Sequence, residues 1–157
     1  MMTVENFSLK VLWTGNQAGG TIDRESFERS LILTIENKPV IYGTSTLKKY
    51  KKPIKFTAEE LFASSISMAF MLHFLELSAA DGIVITRYVG HTNMGVNVEF
   101  DGSVSVKQIL LHPEIFIGEM GFAERATQLA LQAKQSCGLI RQTVAEICVV
   151  PKISFEN

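Results

Sequence analysis

The sequence predicts an α+β protein in which a curved antiparallel sheet wraps around long central helices, and three observations lead to this prediction. A long apolar helix carries its own start and stop signals. Alternating strand patterns precede it, and a hairpin, two helical stretches and a last strand follow it. No repeat or low-complexity linker interrupts this order, so we expect a single domain over residues 1–157.

The central helix is predicted between Thr57 and Gly82. Thr57 and Glu60 have the spacing of a capping box, in which each side chain bonds a backbone N–H that the first helical turn leaves unpaired. Asp81-Gly82 ends the helix, because glycine adopts the left-handed conformation without strain. Apolar residues occupy more than one face of this segment, which predicts that protein surrounds the helix on most sides. Its run without ionisable residues, 61–72, is too short to cross a bilayer and favours a core helix.

Alternating and turn-bounded segments predict the remaining elements. Before the helix, strands are expected at residues 7–13, 21–23, 31–35 and 40–43. After it, strand-like runs are expected within residues 83–100 on either side of a polar turn at 91–93. Asp101-Gly102 predicts a hairpin with a two-residue type I′ turn, and the return strand is expected to stop near Pro113. Helices are then predicted at 122–136 and 138–145, and a strand at 147–150.

Charge and hydropathy limit the possible partners. The net charge of −1 and the pI of about 6.3 give no field that would attract nucleic acid or an anionic membrane. Hydrophobic residues make up 46 % of the chain, and the mean hydropathy is +0.18. A monomer of this size cannot bury that much apolar surface in its own core. We therefore expect a large apolar interface in a homodimer. The N-terminal residues have no secretory pattern, and two cysteines suit a reducing compartment, so the protein is expected to be cytoplasmic.

One basic stretch leaves two interpretations open. Five lysines crowd between residues 48 and 55, at positions Lys48, Lys49, Lys51, Lys52 and Lys55. A solvated loop is the ordinary interpretation. A cationic rim that attracts an anionic ligand is the alternative, and nothing else in the sequence supports it.

The residues that could carry chemistry are few. The three histidines, His73, His91 and His112, lack the spacing of metal ligands, and no cofactor-binding motif is present, so neither a metal nor a cofactor is expected. His73 on the core helix is more simply a hydrogen-bonded structural imidazole. Cys137 is the better candidate for a reactive thiol, because it lies at a helix boundary where a helix N-terminus would lower the pKa of a thiol; a purely structural cysteine is the alternative. Cys148 lies in a strand pattern and is expected to be a small buried hydrophobe.

Four segments resemble the OsmC/Ohr family, whose members include osmotically inducible protein C and organic hydroperoxide resistance proteins. They are Trp13-x-Gly15, Gly19-Gly20-Thr21, the helix opening at 58–63 (AEELFA) and the helix end at 133–137 (AKQSC). The resemblance runs from about residue 8 to residue 154. It implies an intertwined homodimer of thiol peroxidases that act in oxidative stress by reducing organic hydroperoxides.

The resemblance also implies a set of site residues, and this chain departs from that set. The family's peroxidatic cysteine lies eleven residues after a helix-opening proline, and those two positions fall on Ala69 and Ala58 here. The family's arginine falls at Gln17. Glu59 keeps the acidic position, and Cys137 keeps the second cysteine. A chain without the attacking thiol should lack the usual peroxidase cycle, in which the thiol becomes a sulfenic acid and then a disulfide.

These departures leave three hypotheses. A dimer with a degenerate active site would keep Ala69, Phe70 and Gln17 around a pocket for a small apolar ligand or hydroperoxide, with Glu59 beside it. Glu59 and Ala69 are about 15 Å apart along one helix, so a shared pocket requires Glu59 of the partner subunit. In the second hypothesis Cys137 acts alone, as a one-cysteine peroxidase or another thiol catalyst. In the third, the domain is an acyl-binding hotdog-like fold, which the helix ending at Cys137 fits poorly.

Overall fold

The computed structural model describes residues 2–16, 19–47 and 49–155. It divides into two compact units, Met1–Leu61 and Phe62–Asn157. The expectation of a single domain remains a prediction. Two predicted positions, Gln17 and Lys48, lie outside the described residues.

The first unit is built on a four-stranded sheet in the order β1-β2-β3-β4. Its strands are β1 (Leu9–Trp13), β2 (Leu31–Ile35), β3 (Ile41–Thr44) and β4 (Phe56–Thr57). The first three pair antiparallel, and β3 pairs with β4 in parallel. The predicted strand at residues 21–23 is wrong. The Asp23 carboxylate accepts the backbone N–H groups of Glu25 and Ser26 at 2.8 and 2.9 Å, and these bonds form a turn.

The first unit leaves much apolar surface uncovered. None of the fully buried apolar side chains of the described residues lies before Ala63. Every residue of the edge strand β1 is exposed, and Leu9 and Val11 keep 60 % and 58 % of their surface. A sheet without a buried face of its own gains little from the hydrophobic effect. The exposed apolar side chains of this unit would be buried only if another protein surface packed against them.

The central helix α1 spans Ala58–Ala80 and begins and ends as predicted. Glu60 N donates to Thr57 Oγ1 at 3.2 Å, and Thr57 N donates to a Glu60 carboxylate oxygen at 2.9 Å, which is the capping box. Gly82 closes the other end with a φ of 76°. One face is buried, and its residues are Ala63, Ile66, Phe70, Phe74 and Ser78.

The opposite face of α1 remains open, because Met68 and Leu72 keep 61 % and 54 % of their surface. The chain therefore covers one side of this helix rather than most sides. In the described residues α1 is also the one helix long and apolar enough to cross a membrane. Its buried face is the ordinary property of a core helix.

The second unit contains a long hairpin. Strands β5 (Ile85–Val98) and β6 (Val104–Ile117) pair antiparallel, and β7 (Glu146–Val149) and β8 (Lys152–Phe155) pair in parallel with β6. Helix α2 (Ala123–Ser136) follows a 3-10 turn at Met120–Phe122, and the short helix α3 (Gly138–Gln142) follows α2. The core of this unit consists of the buried faces of α1, α2 and β6. The predicted α+β class is confirmed, with two sheets that both include parallel pairs.

Three details of this hairpin differ from the prediction. No turn breaks the strand at residues 91–93, since β5 runs straight through them. Strand β6 passes through Pro113, which lies between the segments that pair with β7 and with β8. The turn is a five-residue loop rather than type I′. Gly102 alone has positive φ, and its N–H donates to Glu99 O at 2.9 Å, as in a type I turn followed by a glycine bulge.

Candidate functional site

The candidate site centres on the middle of α1 and the junction of α2 with α3. Ala69 is half-buried on α1 and packs against the core cluster that includes Cys137. Cys137 lies between the last residue of α2 and the first residue of α3, and its backbone N–H donates to Ala133 O at 2.9 Å. Ala69 is the position at which the sequence resemblance predicts the reactive sulfur of the family.

The environment of Cys137 is that of a core residue. Its side chain keeps only 3 % of its surface. As predicted it precedes a helix, but α3 has five residues and therefore little dipole to stabilise a thiolate. A thiol buried among apolar side chains is normally unreactive.

Cys148 is more accessible than expected. It is half-exposed rather than buried, and its sulfur lies 3.5 Å from Gln108 Nε2 and 3.7 Å from a Glu146 carboxylate oxygen. It lies on β7, where it is paired in register with Leu110 of β6. The two cysteines therefore lie on different elements and in different surroundings.

The other predicted site residues have structural roles in the described chain. Glu59 is half-buried and accepts a hydrogen bond from the Thr46 hydroxyl. Phe70 has no exposed surface and stacks on Phe74 with a ring separation of 6.3 Å, so it supports the core rather than lining an open space.

The two serines near Ala69 are also hydrogen-bonded. Ser65 Oγ donates to Phe62 O at 2.7 Å, and Ser67 Oγ accepts from Thr92 Oγ1 at 3.0 Å. Tyr88 lies beside Ser67, and its ring occupies the space next to Gly90, where a Cβ would come within 3.2 Å of it. Burial raises the pKa of Tyr88 to about 12. This seam between α1 and β5 holds neutral hydroxyl groups.

An open groove of about 350 Å³ lies in the second unit at the start of α1. Its lining is mostly apolar and consists of Phe62, Leu139, Gln142, Thr143 and Val144. Phe62 and Ala69 are seven residues apart on α1 and therefore lie on the same helix face, about 10 Å apart along the axis. This groove could not be predicted from the sequence, because it depends on where α3 is placed.

His73 has the structural role that the sequence favoured. Its Nε2 lies 2.7 Å from Ser136 Oγ, so it joins α1 to the end of α2. Ser136 Oγ also donates to Gln132 O at 2.8 Å. The other two histidines lie on β5 and β6. In the described residues no group of three or more His, Cys, Asp or Glu side chains is placed to share a metal ion.

Three of the four described lysines of the basic stretch are paired with carboxylates of the same unit. Lys49 is paired with Glu25, Lys52 lies 3.9 Å from Glu28, and Lys51 lies 3.0 Å from Glu60. Lys55 Nζ donates to Ser30 Oγ at 2.7 Å. These pairings argue against the alternative interpretation of this stretch as a cationic rim that attracts an anionic ligand.

Comparison with solved structures identifies the fold. An OsmC-like protein of unknown function from Vibrio cholerae matches with a TM-score of 0.79 at 15 % identity, over 95 % of this chain and 100 % of that chain. The organic hydroperoxide resistance protein OhrB of Bacillus subtilis matches with a TM-score of 0.63 at 15 % identity, over 94 % of this chain and 98 % of that chain. An OsmC-like protein from Mycoplasma pneumoniae matches with a TM-score of 0.67 at 13 % identity, over 99 % and 100 %.

No protein-family model matches this sequence, and no curated protein matches it significantly. The similarity to solved structures confirms the resemblance inferred from the sequence as a shared fold. The chain has the OsmC-like fold found in organic hydroperoxide resistance proteins.

Proposed function

We propose that this chain is an OsmC/Ohr-like homodimer that lacks the usual two-cysteine hydroperoxide reductase activity and binds a small apolar ligand instead. One observation carries the proposal: the position expected to hold the peroxidatic sulfur is Ala69, half-buried against the core cluster that includes Cys137. A methyl group cannot attack the peroxide O–O bond, and the neighbouring Ser65 and Ser67 cannot be oxidised to a sulfenic acid and back.

The second unit supplies a place for a ligand. The apolar groove beside Phe62 lies on the same face of α1 as Ala69, and Leu139 and Val144 are exposed along it. Small-molecule sites are concave and mostly apolar, with a few polar groups that orient the ligand. Gln142 and Thr143 provide such groups here.

The alternative is a Cys137-dependent peroxidase or other thiol catalyst. That chemistry requires a thiolate that solvent and substrate can reach. Cys137 keeps 3 % of its surface in the chain. Its burial favours the first proposal over the second.

Hydroperoxide turnover distinguishes the two functions. Purified protein is given an organic hydroperoxide and a dithiol reductant, and hydroperoxide loss is followed over time. We expect no turnover above the protein-free control. Turnover that disappears in Cys137→Ser would refute the first proposal and establish the second.

A gain-of-function variant tests the assignment of position 69. In Ala69→Cys the new thiol should be oxidised by peroxide and form a disulfide with Cys137, which mass spectrometry detects. Ala69→Ser is the matched control and should form no bond. If Ala69→Cys shows no disulfide, the alignment of α1 with the family is wrong.

The groove is tested with a fluorescent apolar probe, 1-anilinonaphthalene-8-sulfonate. We expect Leu139→Asp to reduce probe binding, since it places a charge in the groove. Leu131→Asp is the matched control, because Leu131 is on α2, is similarly exposed and is not part of the groove lining. Equal effects of the two substitutions would argue against a ligand site in the groove.

A further inference from the structure

Two of the three histidines face each other across neighbouring strands. His91 on β5 is paired in register with His112 on β6 in the antiparallel ladder. Directly paired residues of such a ladder point to the same side of the sheet, with Cβ atoms about 5 Å apart. The two imidazoles therefore share one face of the second sheet.

That face is the accessible one. The residues of β6 on either side of His112 are Leu111 and Pro113, which are both buried in the core. Because side chains alternate along a strand, His112 points away from the core. His91 is exposed and His112 is half-buried. In the described part of the chain, no hydrogen bond or ion pair engages either imidazole.

We propose that His91 and His112 form a binding site for a divalent transition-metal ion, with Cu²⁺ bound most tightly. Imidazole nitrogen is a favoured ligand of copper and zinc, and affinity for such a site rises along the first-row series to Cu²⁺. Two ligands on one rigid hairpin bind one ion together, so each raises the effective concentration of the other.

The polar side chains nearest the two imidazoles have partners of their own and do not supply a third ligand. Glu114, the nearest carboxylate along β6 on this face, is paired with Lys152 at 3.4 Å. Cys148 is paired in register with Leu110, and its sulfur accepts a hydrogen bond from Gln108 Nε2 at 3.5 Å. Since no third protein ligand is placed to share the ion within the described residues, water completes the coordination. The ion then keeps open positions, and its affinity stays below that of a closed structural site.

Copper titration of the full chain tests the proposal. Calorimetry with Cu²⁺ should give one ion per chain, and electron paramagnetic resonance should show hyperfine coupling to two nitrogens. Either His91→Asn or His112→Asn should weaken binding by about a hundredfold, because the second ligand contributes through effective concentration. His73→Asn is the matched control and should bind Cu²⁺ as the unmodified protein does.

Acid should abolish the binding, because only the neutral imidazole is a ligand. The affinity for Cu²⁺ should therefore fall as the pH is lowered. The other titratable groups that the described strands place on this face are Arg87, Glu114, Glu146, Cys148 and Lys152. Glu114→Gln should leave the affinity within about twofold, since Glu114 is not a ligand. Binding that survives either histidine substitution, or that falls equally in His73→Asn, would overturn the proposal.

Discussion

At the scale of single residues, the clearest stabilising contact between two elements is made by the Asp81 carboxylate at the end of α1. Asp81 accepts two hydrogen bonds from Arg125, from Nε at 2.7 Å and from Nη2 at 2.8 Å. This guanidinium holds the pKa of Asp81 below its ordinary value of 3.8. The pair ties the end of α1 to the first turn of α2.

The pair should therefore stabilise the fold in a pH-dependent way. A lowered pKa in the folded state gives stability that is present above pH 3.8 and is lost as the pH falls below it. We expect Asp81→Asn to lower the urea midpoint at about pH 7, and the difference from the unmodified protein to shrink near about pH 2.5. Glu124→Gln, also in the first turn of α2, is the control and should not show this convergence. A difference that is constant with pH would contradict the role of the ion pair.

A second residue-scale prediction concerns Tyr88. Burial raises the pKa of its phenol from 10.0 to about 12, because the ionised form would lose its hydration. The folded state thus holds this proton more tightly, and the resulting stability is present below pH 10 and is lost as the pH rises through about 12.

Ultraviolet titration of the tyrosines measures this directly. Tyr88→Phe should remove the component that ionises near pH 12. Tyr42→Phe is the matched control, because Tyr42 is exposed, and it should leave that component in place. If the component persists in Tyr88→Phe, the assignment is refuted.

At the scale of elements, the end of α1 depends on one backbone conformation. Gly82 has a φ of 76°, and a Cβ added there would meet no atom within 4 Å. The cost of Gly82→Ala is therefore conformational, and we expect a loss of about 1 kcal/mol in the free energy of unfolding. Gly121 also has open space but lacks a positive φ, so Gly121→Ala is the matched control and should cost less. Chemical denaturation compares the two.

The elements that sequence predicted well are those with local signals. The capping box of Thr57 and Glu60 fixed the start of α1, and Gly82 fixed its end. The alternation at residues 31–35 gave β2, and the helical spacing at 122–136 gave α2. In each case the residues that determine the element lie within it or within two residues of its ends.

The elements that were missed depend on distant partners. Strand β6 continues past Pro113 because β7 pairs before the proline and β8 pairs after it, so Pro113 interrupts neither ladder. Strand β8 itself was not predicted. The polar residues 91–93 form part of a strand because β6 supplies their ladder bonds.

The candidate site was predicted only in part, for the same reason. Ala69 and Cys137 could be identified from their positions in the resemblance, and the core packing brings them into one cluster. The burial of Cys137, the groove beside Phe62 and the pairing of His91 with His112 depend on contacts between elements far apart in sequence.

At the scale of the whole molecule, the uncovered apolar surface is the main unexplained feature of a single chain. It occurs in both units, with Leu9 and Val11 exposed on β1 and with Met68 and Leu72 exposed on α1. Contiguous apolar surface in monomers is normally small, and larger areas mark interfaces. The proposed homodimer would cover this surface.

Substitution on α1 tests the homodimer. We expect light scattering after size exclusion to give twice the chain mass of 17.4 kDa for the unmodified protein. Leu72→Glu should shift it toward the monomer, because a buried charge without a partner would oppose association. Gln132→Glu, an exposed change on α2, is the matched control and should remain dimeric.

Circular dichroism distinguishes dissociation from unfolding in Leu72→Glu. The core face of α1, with Phe70 and Phe74, is on the other side of the helix, so the folded signal of the second unit should persist. The first unit has no buried apolar side chain of its own among its described residues, and it should become more sensitive to protease once the partner is lost. An unmodified protein that is monomeric at micromolar concentration would refute the dimer, and with it any site that needs Glu59 of the partner subunit.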